Sequence, residues 1–490
     1  MVAENPLFTG SIWSTKKFRA TIINDIWPEV LFFTLIATMV TLVSTMTSVS
    51  LAISNQMLTV LGTVLGLVIS FRTSTAYERF SEGRRLWTNI AIASRNLAQV
   101  IWIHVPFERT DKTTGEKKPM LEVMIEKKTM VNLIQAFSVS VKHLLRGEGG
   151  VYYRDLYPLI SCLPRFNHPH NHTEDQLLPL WKASDMDTRL HHEIRSTKLR
   201  EASLGGNTLG GHLGRRSKKK FDPESVLPEV PSEHPLRPAR NPPTTSLYDY
   251  LPFLRLLKPI IRPFKRAPSP ERAAQKRSLT GKKIRPEMAD SNVPLEITLF
   301  LTTYFSWLMR QGLLQPASAT AMVNAIASLQ DTVNHLERIK NTPLPFAYQA
   351  HLRLSLWLYL FFLPFQIFTP FKWLTIPATA FASFLLLGFL EIGQEIENPF
   401  NYDLNDLDLD HFCLVVQREL HEITAHTTPD PNEFVFTDWN QPFAPADRRS
   451  AKAMVEEAQH PYHHPEESLH HIRSTLLRTW SEVDKITRRN

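Results

Sequence analysis

Cysteine is almost absent: Cys162 and Cys413 are the only two in 490 residues. That count excludes a disulfide scaffold and a four-thiolate zinc site, and it reads as two reduced, packed thiols. Strand signals are missing too, because no window alternates apolar and polar residues for long. Charge is missing from four stretches: residues 30–43, 51–71, 354–371 and 374–390. Each is close to the ~20 residues that cross a bilayer core. The first is not a secretory leader, since residues 1–29 precede it, no A-x-A-like site follows, and a second apolar run comes directly after. The expectation is an all-α integral membrane protein with four transmembrane helices and a cytosolic helical bundle.

Basic residues set the expected orientation. Lys16, Lys17 and Arg19 precede the first run, Arg72, Arg79, Arg84 and Arg85 follow the second, and Arg338, Lys340 and Arg353 precede the third. The connections at 44–56 and 366–373 hold only Lys372. Both termini are therefore expected in the cytosol, with a plasma membrane favoured over an organelle.

The formal charge of +7 is not spread over the chain. Residues 182–290 carry 23 Lys and Arg against 12 Asp and Glu, together with 13 of the 35 prolines, so everything outside them nets −4. Such a composition cannot bury a core and reads as a disordered cytosolic insert. Within it, "YDYLPFLRLLKPIIRPFKR" at 248–266 mixes apolar and basic residues as a membrane-surface segment does, although its prolines suit a docked segment equally. "RRSKKK" alone would suggest nucleic acid, which a multispan chain makes a poor partner. The expected order is a cytosolic amino-terminal segment (1–29), two spans (30–71), cytosolic helices (72–181), the insert (182–290) and more cytosolic helices (291–345). Two further spans (346–393), an acidic turn with its following helix (394–428) and a polar tail (429–490) complete it.

The second run continues without Gly or Pro from Leu67 into "SFRTSTAYERF", so one helix leaves an apolar solvent and enters a charged one. At about 100° per residue its faces differ. Gly62, Gly66 and Ser70 are small and suit close helix packing. Val60, Val64, Leu67 and Phe71 form a bulky stripe roughly opposite. That stripe is either core packing or an apolar constriction of the kind that gates by dewetting. Arg72 and Arg79 would then stand in a watery vestibule beyond it.

With these residues in view the chain resembles the bestrophin family. The resemblance rests on "LGLVISFRTSTAYERFSEGRRLW" at 65–87 and on "EIGQEIENPFNYDLNDLDLD" at 391–410, in the right order, with "GSIW" near the amino end and "WPEVLFFT" before the first span. It resembles the microbial and fungal branch more than the animal one. It implies a homopentamer around one axial pore, with the second span lining an apolar neck. The family's neck positions, four residues apart, select Phe71, Leu67 and Thr63, where the helical wheel selects Phe71, Leu67, Val64 and Val60. Family members are typically chloride channels, and the bacterial branch includes cation conductors. The arginines at the span exit favour small anions, chiefly chloride; the −4 body does not.

In animal bestrophins the acidic run clasps calcium, which the resemblance transfers to Asn398, Asp403 and Asp406. Here Leu404 and Asn405 break the run, and Asp side chains capping amide N–H groups explain the same residues without metal. The expectation is no cofactor, with calcium as the alternative. Rival classes are a non-conducting scaffold and a membrane di-iron oxygenase, the latter from "HPHNH" at 168–172 and "HPYHH" at 460–464. Prolines interrupt both histidine boxes, which disfavours rigid metal ligation and any enzyme.

Overall fold

The computed structural model describes residues 21–47, 50–54, 56–110, 117–164, 227–228, 230, 232, 235–242, 292–457, 461–463 and 468–488. The chain divides into two units, 1–423 and 424–490. Among the described residues the secondary structure is helical, with two isolated bridges, Thr110 to Lys117 and Tyr153 to Arg237.

The first unit contains α1 (Ile23–Met46), α2 (Gln56–Gln99), α3 (Met120–Leu145), α4 (Tyr157–Ile160), α5 (Val293–Gln311), α6 (Pro316–Asn341), α7 (Phe346–Phe371), α8 (Thr375–Glu395) and α9 (Leu409–Ala425). Local chemistry fixes several ends. The Asn292 side chain accepts the Leu295 N–H at 3.1 Å to start α5, which stops at Gly312 with φ 68°. Pro316 opens α6, where its missing N–H needs no partner. In α1 the hydroxyls of Thr34, Thr38, Thr41 and Thr45 bond the carbonyl one turn back, so polar residues sit in an apolar helix without unpaired donors.

Among the described residues three stretches are long and apolar enough to cross a membrane: Asp25–Met46, Val60–His104 and Phe346–Glu395. The third is α7 and α8 joined by the 3-10 turn Lys372–Leu374. Leu31, Leu35, Met39, Leu354, Leu358, Phe381 and Phe389 point outward from these helices. An exterior of that composition matches lipid as its solvent.

Among the described residues there are two apolar cores. The smaller joins Ile26 and Phe33 of α1, Leu65 and Ile69 of α2, Leu352, Leu356 and Leu360 of α7, and Leu387 and Leu390 of α8. The larger joins Leu86, Trp87 and Ile90 of α2 to α3, α5, α6 and α9. Only α2 contributes to both. Its 44 residues run about 66 Å at 1.5 Å per residue, so the absence of a break keeps the two cores in rigid register.

The "NPF" phenylalanine belongs to the larger core. Phe400 is fully buried, and a Cβ built on Gly83 of α2 would meet its ring at 3.1 Å. Replacing Phe400 with Ala should therefore cost about 3–5 kcal/mol, the range for emptying an aromatic site. Thermal melting of the detergent-solubilised protein checks this, and an unchanged midpoint would refute it.

Two sequence expectations need correction. Cys413 is buried as expected, but Cys162, two residues past the short α4, is exposed. The insert is not uniformly without structure, because residues 235–242 are bonded to the body. The remainder of 182–290, including 248–266 and "RRSKKK", lies outside the described residues except at 227–228, 230 and 232, as do "GSIW" and "HPHNH". Of "HPYHH" only 461–463 are described, and His463 Nε2 lies 2.7 Å from the Met454 carbonyl.

The second unit contains α10 (Pro431–Val435), α11 (Ala451–Glu456), α12 (Ser468–Leu476) and α13 (Trp480–Thr487). Each is short and several are held by caps: Asp430 and Ser450 side chains start α10 and α11, and Thr479 with Glu482 forms a capping box on α13.

Candidate functional site: the outer face of α2 and the turn that braces it

The bulky stripe of α2 is not core packing within the chain. Val60, Val64, Leu67 and Phe71 are 64, 53, 57 and 62% exposed, and Thr63 lies open beside them. The buried ridge is Leu65, Ile69, Arg72 and Ala76. A helix that is apolar on its covered and its uncovered side alike belongs in lipid or against another subunit.

The small face does less than its pattern suggests. A Cβ on Gly62 would meet the Tyr359 hydroxyl at 2.9 Å, so α7 does approach there. Nothing lies within 4 Å of a Cβ on Gly66, and Ser70 is exposed. Packing inside the chain falls to Leu65 and Ile69, whose larger side chains reach neighbours that the two small residues do not.

Arg72 and Arg79 are both engaged by groups within the chain. Arg72 is 3% exposed and turns inward, with Nη2 3.9 Å from Glu397 Oε2 and with Nε and Nη2 lacking any hydrogen-bond acceptor. Arg79 donates Nε to the Glu397 carbonyl at 3.0 Å, and Nη1 and Nη2 to the Thr342 and Ile339 carbonyls, both at 2.5 Å. It thereby satisfies orphan carbonyls at the end of α6. Arg84 lies 4.2 Å over the Phe412 ring, and Arg85 is bidentate with Glu82 at 2.7 Å. The positive charge at the span exit is largely engaged with protein groups.

Glu397 is the residue that sequence reasoning missed. Its Oε1 accepts the Leu344 N–H at 2.8 Å, and both carboxylate oxygens accept from Gln349 Nε2 at 3.2 and 3.1 Å. One residue therefore ties α2 at two places, through Arg72 and Arg79, to the start of α7 and to the end of α8. The available signal was Arg72 itself: an arginine at the end of an apolar run needs an acid near it.

After Glu397 the chain makes a braced turn. The Leu407 N–H bonds the Pro399 carbonyl at 3.0 Å, Asp406 Oδ2 accepts the Asp403 N–H at 2.9 Å, and Asn405 Nδ2 donates to Glu395 Oε1 at 3.0 Å. Asp408 then accepts the His411 N–H at 3.0 Å and caps α9. Burial, with Asp403 next to it, pushes the Asp406 carboxyl up to about 8.

The three positions named for calcium do not converge. Asn398 and Asp403 line a cleft of about 290 Å³ with Asp25, Glu391, Gln394, Glu395 and Asn401, and Asn398 Oδ1 is buried without a partner. Asp406 is not among its walls and is used to close the turn. Among the described residues no three His, Cys, Asp or Glu side chains gather closely enough to hold a metal ion. Within the set, the Asp406 carboxylate and the Asp403 N–H are used to cap the turn.

Residues 11–203 and 239–422 match the family model described as Bacterial/Fungal Bestrophin protein, which is most of the chain. The chain belongs to the bacterial and fungal bestrophins. Among curated proteins, this bestrophin is 38% identical over 133 residues to a voltage-dependent anion channel-forming protein of Synechocystis, covering 27% of this chain and 43% of that one. It is 25% identical over 358 residues to one of Nostoc, covering 73% and 74%. With the Escherichia coli K12 protein of the same description it shares 27% over 147 residues, 29% of this chain and 48% of that one, so two of these three matches span less than half of the relative. A crystal structure of a bacterial bestrophin homologue from Klebsiella pneumoniae aligns at 18% identity and a TM-score of 0.46, covering 82% of this chain and 99% of that one. The bestrophin match breaks off at 203 and resumes at 239, inside the basic insert.

Proposed function

We propose that the chain is one subunit of a homopentameric bestrophin channel that passively conducts small anions, chiefly chloride. Four spans, α1, the first part of α2, α7 and α8, cross the membrane, with both termini in the cytosol of a cell whose plasma membrane it occupies. The observation that carries this reading is the outward stripe of Val60, Thr63, Val64, Leu67 and Phe71 on a helix otherwise anchored in two cores. Five copies turned toward a common axis would cover it and make an apolar neck, narrow enough for water to leave it readily. The descriptions of the cyanobacterial relatives as anion channel-forming support the class of ion.

Conduction asks for a path that ions enter and leave, with no group that makes or breaks bonds. No resident cofactor is part of this reading, and the turn at 398–406 serves as a brace. Currents recorded with and without a calcium chelator should then coincide. A loss of current on chelation, reversed by added calcium, would return calcium to the Asn398 and Asp403 cleft.

The channel reading is tested by reconstituting the purified protein in liposomes loaded with a chloride-quenched dye. Chloride entry faster than in empty liposomes, from particles whose mass corresponds to five chains, is the expected result. Five-chain particles that pass neither ion would favour the scaffold, and potassium entry without chloride entry, read in parallel liposomes holding a potassium-sensitive dye, would favour a cation conductor.

A further inference from the structure

The insert should contribute no fixed contact by its composition, yet residues 235–242, "PLRPARNP", are held against the body along their length. Pro235, Pro238 and Pro242 lack N–H groups and restrict the backbone to extended forms, so few donors need partners. Two of those that remain, on Arg237 and Asn241, bond the body. The Arg237 N–H bonds the Tyr152 carbonyl at 2.9 Å, and the Arg237 carbonyl accepts the Arg154 N–H at 3.0 Å, a one-residue parallel bridge. The Arg237 guanidinium donates to the Gly149 carbonyl at 3.3 Å and to the Tyr153 hydroxyl at 3.2 Å. Further on, the Ala239 carbonyl accepts from Lys142 Nζ at 3.4 Å, and the Asn241 N–H bonds the Tyr402 hydroxyl at 2.9 Å.

The last contact matters because Tyr402 lies inside the braced turn. Its hydroxyl receives the Asn241 N–H and donates to Glu148 Oε1 at 2.6 Å, while its ring sits 4.1 Å under the Arg146 guanidinium. Arg146 in turn pairs with Asp410 at 3.0 Å, and Lys142 pairs with the same Asp410 at 3.1 Å and with Asp155 at 2.5 Å. The segment therefore bridges the end of α3, the loop at 149–155 and the turn at 398–406. The turn is cross-bonded, and Glu397, the residue just before it, grips α2 just past Phe71. Arg237 falls in the gap between the two family-matched regions, so the anchoring bridge is an addition to the shared fold.

We propose that residues 235–242 are a latch through which the insert holds the 398–406 turn, and with it the inner end of the neck helix, in one position. Releasing the latch frees Tyr402 and lets the turn and the Arg72 and Arg79 grip fluctuate together. The effect on gating rests on the channel reading; the mechanical hold does not.

The test uses the full chain in lipid, with residues 235–242 replaced by an equally long Gly-Ser stretch, and separately Tyr402→Phe, which keeps the ring and deletes the hydroxyl. Amide hydrogen exchange in the peptide containing Asp406 and Leu407 should rise at least tenfold in the replacement and several-fold in Tyr402→Phe. Exchange unchanged in both variants overturns the latch whether or not the protein conducts. In single-channel records the replacement should change open probability at least threefold while unit current and reversal potential stay as in the parent. Faster exchange with the same open probability overturns the gating half. A silent parent channel sinks the channel reading and leaves exchange to decide the latch.

Discussion

Leu67→Ala combined with Phe71→Ala is expected to raise current through the channel severalfold and to flatten its gating, while the assembly keeps its size. Both side chains are more than half exposed in the chain, so truncating them removes little intramolecular packing and should change subunit stability by only about 0.5 kcal/mol. Around an axis the same truncations remove ten bulky groups from one ring pair, which widens and wets the constriction. Single-channel recording and native mass measurement check the two halves separately. An unchanged current, or an oligomer that falls apart, would mean that the stripe is a packing surface and that ions pass elsewhere.

Glu397→Ala is expected to be as damaging to the body as emptying the Phe400 site. It leaves Arg72 buried without its counter-charge and deprives the Leu344 N–H and Gln349 of their acceptor. Removing one partner of a buried pair typically costs about 3–5 kcal/mol, and that is the loss expected here. Arg72→Met together with Glu397→Leu should recover much of it, because no buried charge is then left alone. Thermal melting of the single and double variants gives the cycle. A single variant as stable as the parent would show that the 3.9 Å pair matters little and that Arg79 alone holds the turn.

How far the sequence could be read follows from what kind of contact each feature uses. The uncharged runs and the three-and-four spacing are local, and they located the apolar helices, the long α2 and the helices on either side of the insert. The bulky stripe of α2 was legible as one face, because a helix wheel needs only the neighbours in sequence, but whether that face is covered or open was not. The Arg72 and Arg79 roles were not, since their partners at 339, 342 and 397 are brought near only by the fold. Gly66 shows the same limit in reverse. A small residue permits a close approach, but it does not say which helix arrives, and within this chain none does. The latch escaped a composition argument for a different reason. It is held by backbone hydrogen bonds and by one arginine, where the expectation of disorder weighs only the apolar area a segment can bury.

Whether five copies of this chain enclose an anion-conducting pore is decided by the reversal potential of the purified protein in a planar bilayer under a potassium chloride gradient. The channel reading requires a potential of the sign that chloride selectivity imposes, abolished or reshaped when Leu67 and Phe71 are enlarged to tryptophan. A potential of potassium's sign would contradict the anion reading, and an intact pentamer that never conducts would contradict the pore.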